Sequence, residues 1–157
     1  MQNDKTKKLT LLAVLTALSV TFGFVAKIPT PTGLLTLVDA GIYFTAFYLG
    51  KKEGAIVGGL SAFLIDLLSS APQWMFISLL IHGAQGYFAG FKGKYRIAGL
   101  LLATIAMVGG YALASIFMYG IGSAVAEIIP NFCQNTLGLV AGWVLYQGFK
   151  KVQSKIG

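Results

Sequence analysis

Eleven of the twelve lysines and arginines fall on one side of a membrane when the apolar stretches of this chain are threaded back and forth. Six such stretches are legible, at about 9–26, 36–49, 54–69, 74–91, 97–120 and 131–149. With the N-terminus inside, the clusters Lys5/Lys7/Lys8, Lys51/Lys52, Lys92/Lys94/Arg96 and Lys150/Lys151/Lys155 all land in the cytoplasm, and only Lys27 lands outside. The acids Asp39, Asp66 and Glu127 fall near the outer ends of spans. A bias of this kind in short loops sets both span count and orientation. The expectation is an all-α integral membrane protein with six transmembrane helices and cytoplasmic N- and C-termini.

Composition narrows the choice further. The 157 residues are 56% hydrophobic and 11% charged, with a mean hydropathy of +0.76, outside the range of ordinary soluble domains. Six spans consume nearly the whole length, so residues 1–157 read as a single membrane domain. The net charge of +7 flanks apolar helices instead of forming a stripe, which suits anionic lipid headgroups and argues against nucleic acid. Cys133 is the only cysteine, excluding an intrachain disulfide and a multi-cysteine metal site. The first stretch follows Lys5, Lys7 and Lys8 as a signal peptide would, but it lacks small residues placed for cleavage and is expected to be retained. Lys27-Ile28-Pro29-Thr30-Pro31-Thr32-Gly33 interrupts helix and predicts a structured outer loop or hairpin. Residues 121–130 read as a further outer loop, or as a short helix of their own, before a span that starts near Asn131.

Polar side chains inside a membrane require a protein or cavity partner. Trp74, Ser78, His82 and Gln85 fall within about 80° of one another on a helical wheel, a polar-aromatic stripe running inward from the surface. Asn131, Gln134 and Asn135 share a face that Gly138 and Gly142 continue. Tyr111, Ser115 and Tyr119 share another, and Asp39, Tyr43, Asp66 and Glu127 lie at comparable depth. The substrate-binding candidates are therefore Asp39, Tyr43, Trp74, His82, Gln85, Tyr111, Glu127, Asn131, Gln134 and Asn135, around an outward-facing cavity for a small polar, aromatic molecule. Each has a plainer reading: a structural histidine, solvated interfacial acids, a belt tryptophan, amides bonding another helix. Convergence at one depth is what favours a site. No phosphate-cradling loop, zinc-spaced histidine pair or nucleophile elbow is present, so neither catalysis nor ATP hydrolysis is expected of this chain, and no metal or cofactor is called for.

Three passages carry a family resemblance: Ala13-Val14-Leu15-Thr16-Ala17 in the first span, Leu37-Val38-Asp39-Ala40-Gly41 opening the second, and Gly50-Lys51-Lys52-Glu53-Gly54-Ala55 through Asp66-Leu67-Leu68 to Trp74 and the glycines Gly83, Gly86 and Gly90. The chain resembles, over nearly its whole length, the substrate-binding S component of an energy-coupling factor (ECF) vitamin transporter. It is most similar to the small riboflavin, pyridoxine or hydroxymethylpyrimidine branch. The resemblance implies a place in the bacterial plasma membrane, with a membrane coupling protein and two cytoplasmic ATPases as partners. It implies docking through Ala13 and Ala17, and capture of a vitamin outside with release inside. Tyr43, Trp74, Tyr111 and Tyr119 suit a flat ring, and the scarcity of outer cations disfavours an obligate anion. Pyridoxine and hydroxymethylpyrimidine lead, with riboflavin third. The alternative is a self-contained proton- or ion-coupled secondary transporter using Asp66, His82 or Glu127, against which stands the lack of an evident inverted repeat.

Overall fold

Apolar runs broken by glycine and proline become, in the computed structural model, a bundle of helices; the structure describes residues 2–30 and 34–156. Helix α1 spans Gln2–Val25 and leads into a two-stranded antiparallel hairpin, β1 (Lys27–Pro29) and β2 (Leu34–Thr36). Then follow α2 (Val38–Tyr48), α3 (Lys51–Leu68), α4 (Met75–Ala89), a single 3₁₀ turn at Gly93–Tyr95, α5 (Arg96–Tyr119) and α6 (Ile121–Ile156). The strands pair Lys27 with Thr36 and Pro29 with Leu34, so the predicted hairpin exists. Its tip, Pro31 to Gly33, lies outside the described residues.

Helix α2 is the centre of the bundle. It packs on α1, α3, α4 and α6, and all but two of its eleven residues are buried. At about 1.5 Å per residue it rises only about 16 Å, roughly half of a hydrocarbon core. Among the described residues, two stretches, Asn3–Val25 and Gly93–Tyr119, are long and apolar enough to cross a membrane on their own account. Around the outside, Leu80, Phe117, Ile129, Leu137 and Val144 are all exposed, an apolar girdle suited to lipid and costly in water.

Helix α6 corrects the sequence reading. Residues 121–130 are neither a loop nor a separate helix but the first turns of a single 36-residue helix that carries Pro130 inside it. The burial period explains why. Ala124, Glu127, Gln134, Asn135 and Gly138 are buried while Val125, Ile128 and Ile129 are exposed, so one inward face runs unbroken through the proline. A membrane helix tolerates the missing N–H where neighbouring groups re-satisfy the freed backbone. The break falls instead at Gly120, whose φ of 91° is one that side-chain-bearing residues rarely adopt.

Close backbone approach fixes the helix order. Gly54 of α3 faces the carbonyl of Gly86 on α4, where an added Cβ would lie 2.5 Å away. Gly138 and Gly142 of α6 ride on Asp39 and Tyr43 of α2, and a Cβ at Gly142 would come within 2.6 Å of the Tyr43 Cβ. Small residues at four-residue spacing permit such seams. Gly138→Val should therefore destabilise the fold by about 1–3 kcal/mol, the cost of overpacking, whereas Gly148→Val, with nothing within 4 Å of an added Cβ, should not. Thermal unfolding of the two purified variants in detergent distinguishes them.

Candidate substrate-binding site

The end of the bundle where α3 hands over to α4 encloses a small cavity of about 40 Å³. Its walls come from β2, α2, α3, α4, α5 and α6, and include Thr36, Asp66, Ser78 and Ser115. Of the ten residues expected from sequence, Trp74, His82, Tyr111, Glu127, Asn131 and Gln134 line it. Asp39, Tyr43, Gln85 and Asn135 do not. They are at most 1% exposed and form a sealed polar layer behind the wall.

Aromatic rings give the cavity its shape. Trp74, at the start of α4, is buried and tilts against Tyr111 and Tyr119 of α5, with ring centroids 5.6 and 5.9 Å apart. Tyr111 also meets the His82 ring edge-on at 5.6 Å and donates its hydroxyl proton to Ser78 Oγ at 2.6 Å. The hairpin is tied down from below: the Thr36 amide donates to Gln134 Oε1 at 2.6 Å. Sequence patterning could not have shown that bond, because its donor is main chain.

Behind the wall the hydrogen bonds run in one direction. His82 Nδ1 lies 2.7 Å from Gln85 Oε1 and 3.1 Å from Asp39 Oδ1. Both neighbours are acceptors, so the Nδ1 proton is required there. Gln85 Nε2 donates to Asn135 Oδ1 at 3.0 Å, Asn135 Nδ2 donates to Thr104 Oγ1 at 2.9 Å, and that hydroxyl donates to the Leu100 carbonyl at 3.0 Å. Tyr43 Oη donates to the same Asn135 oxygen at 2.6 Å. Helices α2, α4, α5 and α6 are thereby joined at one level.

Two of the buried polar atoms that lack a partner belong to residues that line the cavity. Asp66 Oδ2 and Ser115 Oγ are buried with no hydrogen-bond partner among the described residues. Asp66 was noted in the sequence for its depth, but nothing there distinguished it from a solvated interfacial acid. The cavity walls contain two carboxylates, Asp66 and Glu127, and among the described residues no lysine or arginine. Such a surface receives hydrogen-bond donors and rejects anions. No group of three histidine, cysteine or acidic residues stands together among the described residues in a way that could hold a metal.

Comparisons with known proteins agree with this architecture. Residues 3–151 match the family described as "ECF-type riboflavin transporter, S component". A "Thiamine precursor transporter HmpT" from Lactococcus lactis subsp. cremoris is 47% identical over 148 residues, covering 92% of this chain and 89% of that protein. An uncharacterised protein from Pyrococcus woesei is 33% identical over 130 residues, covering 79% of this chain and 87% of its own length. Among solved structures, one reported as "Structure and mechanism of the S component of a bacterial ECF transporter" shares the fold, with a TM-score of 0.75 at 22% identity across 95% of this chain and 98% of that one. With its fold, its acid-lined cavity and a family match spanning almost the full sequence, the chain belongs to the S components of ECF-type transporters, cell-membrane transport subunits and not enzymes, which work with a membrane coupling protein and ATPases.

Proposed function

We propose that this chain binds hydroxymethylpyrimidine, a precursor of thiamine, and delivers it through a docked coupling module. The observation that carries the reading is the pair of orphaned groups in the cavity, Asp66 Oδ2 and Ser115 Oγ. Buried polar atoms are rarely left unpaired, and an unpaired one costs about 1–3 kcal/mol. A ligand that donates hydrogen bonds removes that cost. An aminopyrimidine carrying a hydroxymethyl arm donates from both its amine and its hydroxyl, and its flat ring suits the Trp74, Tyr111 and His82 rings. Pyridoxine has the ring and hydroxyls but no exocyclic amine, and ranks second. Riboflavin, named in the family description, has three fused rings and a sugar-alcohol tail, and needs a larger cavity than either single-ring ligand. The HmpT relative, at 47% identity, points the same way.

In the membrane we read all six helices as spans, with both termini cytoplasmic, on the distribution of basic residues described above. The cavity then opens outward. Short α2 is flanked by polar segments at both ends, the hairpin on one side and Gly50-Lys51-Lys52 on the other, so the bundle supplies the thickness that α2 lacks. Docking falls to Ala13 and Ala17. Both are exposed, one turn apart, while Leu12, Leu15, Thr16 and Ser19 bury the other face of α1. That outward placement supports an external partner over packing within this chain.

Two measurements test the reading. Titration calorimetry of the purified subunit should rank hydroxymethylpyrimidine above pyridoxine and riboflavin, and Asp66→Asn or Trp74→Ala should weaken its binding by about 1–3 kcal/mol. Equal affinity in both variants, or tighter riboflavin binding, overturns the ligand assignment. Ala13→Trp should abolish uptake driven by the coupling module and its co-purification while leaving ligand affinity unchanged. Loss of ligand binding with retained co-purification would place the alanines in the internal core.

A further inference from the structure

At the end of the bundle opposite the cavity, the α2–α3 and α4–α5 connections enclose a second hollow of about 480 Å³. Its lining includes Lys51, Lys52 and Lys92, with Glu53 the single acid. Glu53 is already engaged, paired with Lys8 of α1. The floor is backbone. Gly90, at the end of α4, packs directly onto Gly50 and Lys51 at the start of α3, so closely that no Cβ fits. The first turn of α3, capped by no side chain, opens into the same space. Lys51 is held in place by its neighbours, its Nζ 5.5 Å from the Tyr87 ring and 5.9 Å from the Phe91 ring, and Lys92 folds over Gly50 from the other side.

Three lysines lining one hollow call for an anion. The surface beside it says which kind. Leu49, Phe91 and Tyr95 share the lining with the lysines, and Tyr95 is 59% exposed, as a residue of the interfacial belt is. A ligand here meets charge at one end and a membrane-facing apolar surface at the other. A free phosphate offers only the first. We propose that this hollow is a binding site for the phosphodiester headgroup of an anionic phospholipid, whose apolar end lies toward Phe91 and Tyr95. The site is separate from substrate capture, and occupancy would pin the α2–α3 connection against the end of α4.

Native mass spectrometry of the subunit released from an equal mixture of phosphatidylglycerol and phosphatidylcholine tests this. Each lysine near an anionic lipid surface contributes about 1 kcal/mol, so the double variant Lys51→Gln/Lys92→Gln should lower the preference for phosphatidylglycerol adducts by roughly tenfold to thirtyfold. Lys51→Arg/Lys92→Arg should keep it, as should Lys150→Gln/Lys151→Gln, which removes the same charge elsewhere. All four lysines are exposed, so folding is not at stake, and an unchanged thermal midpoint verifies that. An unchanged adduct ratio in the Lys51/Lys92 glutamine variant overturns the site. An equal fall in the Lys150/Lys151 variant would reduce it to diffuse surface charge. Displacement of the adduct by millimolar inorganic phosphate would make it a soluble-anion site instead.

Discussion

Asn135 is where four helices are made into one object. Its amide is almost wholly buried, and in that setting every unmet hydrogen bond carries the full cost of desolvation. None is unmet. The oxygen accepts from Tyr43 of α2 and Gln85 of α4, and the nitrogen donates to Thr104 of α5. Because the donors from His82 to Thr104 point the same way, each bond polarises the next, and the chain is held more firmly than its separate members would be. The cavity stands on this layer. Most of its walls come from helices that this layer joins, so His82 and Gln134 are presented from within helices and Trp74 from the cap of α4.

That layer can form only because backbones come close enough for short side chains to meet. Gly138 and Gly142 bring α6 onto Asp39 and Tyr43, and Gly58 lets α3 lie against the His82 carbonyl of α4, with a Cβ at Gly58 clashing with that oxygen. Lipid supplies no hydrophobic drive to pull helices together, so contact area and internal polar bonds must provide the attraction. The glycine seams provide the first and Asn135 the second. Asp39 shows the limit of the arrangement. Neither of its oxygens has a well-directed hydrogen bond among the described residues, and its partner is the His82 ring nitrogen 3.1 Å away.

Much of this was visible in the sequence, for reasons that also explain what was not. A polar residue in an apolar run announces that it needs a partner, and helical spacing tells which residues share a face. That was enough to bring together Trp74, His82, Gln85 and the Asn131–Asn135 group. It could not tell partners from ligands. Gln85 and Asn135 satisfy one another, whereas Asp66 Oδ2 and Ser115 Oγ are left without a partner among the described residues, and the difference depends on rotamers and helix rotations of a few degrees. Pro130 misled because a proline in a soluble protein ends a helix, while here the inward-facing positions from Ala124 to Gly138 outweigh one missing N–H. The site's link to the hairpin was invisible for a simpler reason: Thr36 donates through its backbone.

A transport subunit must release what it captures, and the structure is unevenly built in a way that indicates where it opens. Parting α6 from α2, α4 and α5 at the level of Asn135 would strand several buried polar groups at once, each costing about 1–3 kcal/mol. At the hairpin the bundle wall is held by the bond from Thr36 to Gln134, and the Lys27–Ser69 contact at its edge is long, at 3.4 Å, and exposed. Local opening follows the least stabilised contacts. On these contacts the hairpin side of the cavity is the more weakly held, and the Asn135 layer is the more firmly held floor. Passage to the other side of the membrane cannot run through that floor at any modest cost. Separating the helices along the bundle axis would break this layer, whereas moving the bundle as one body would break none of its bonds.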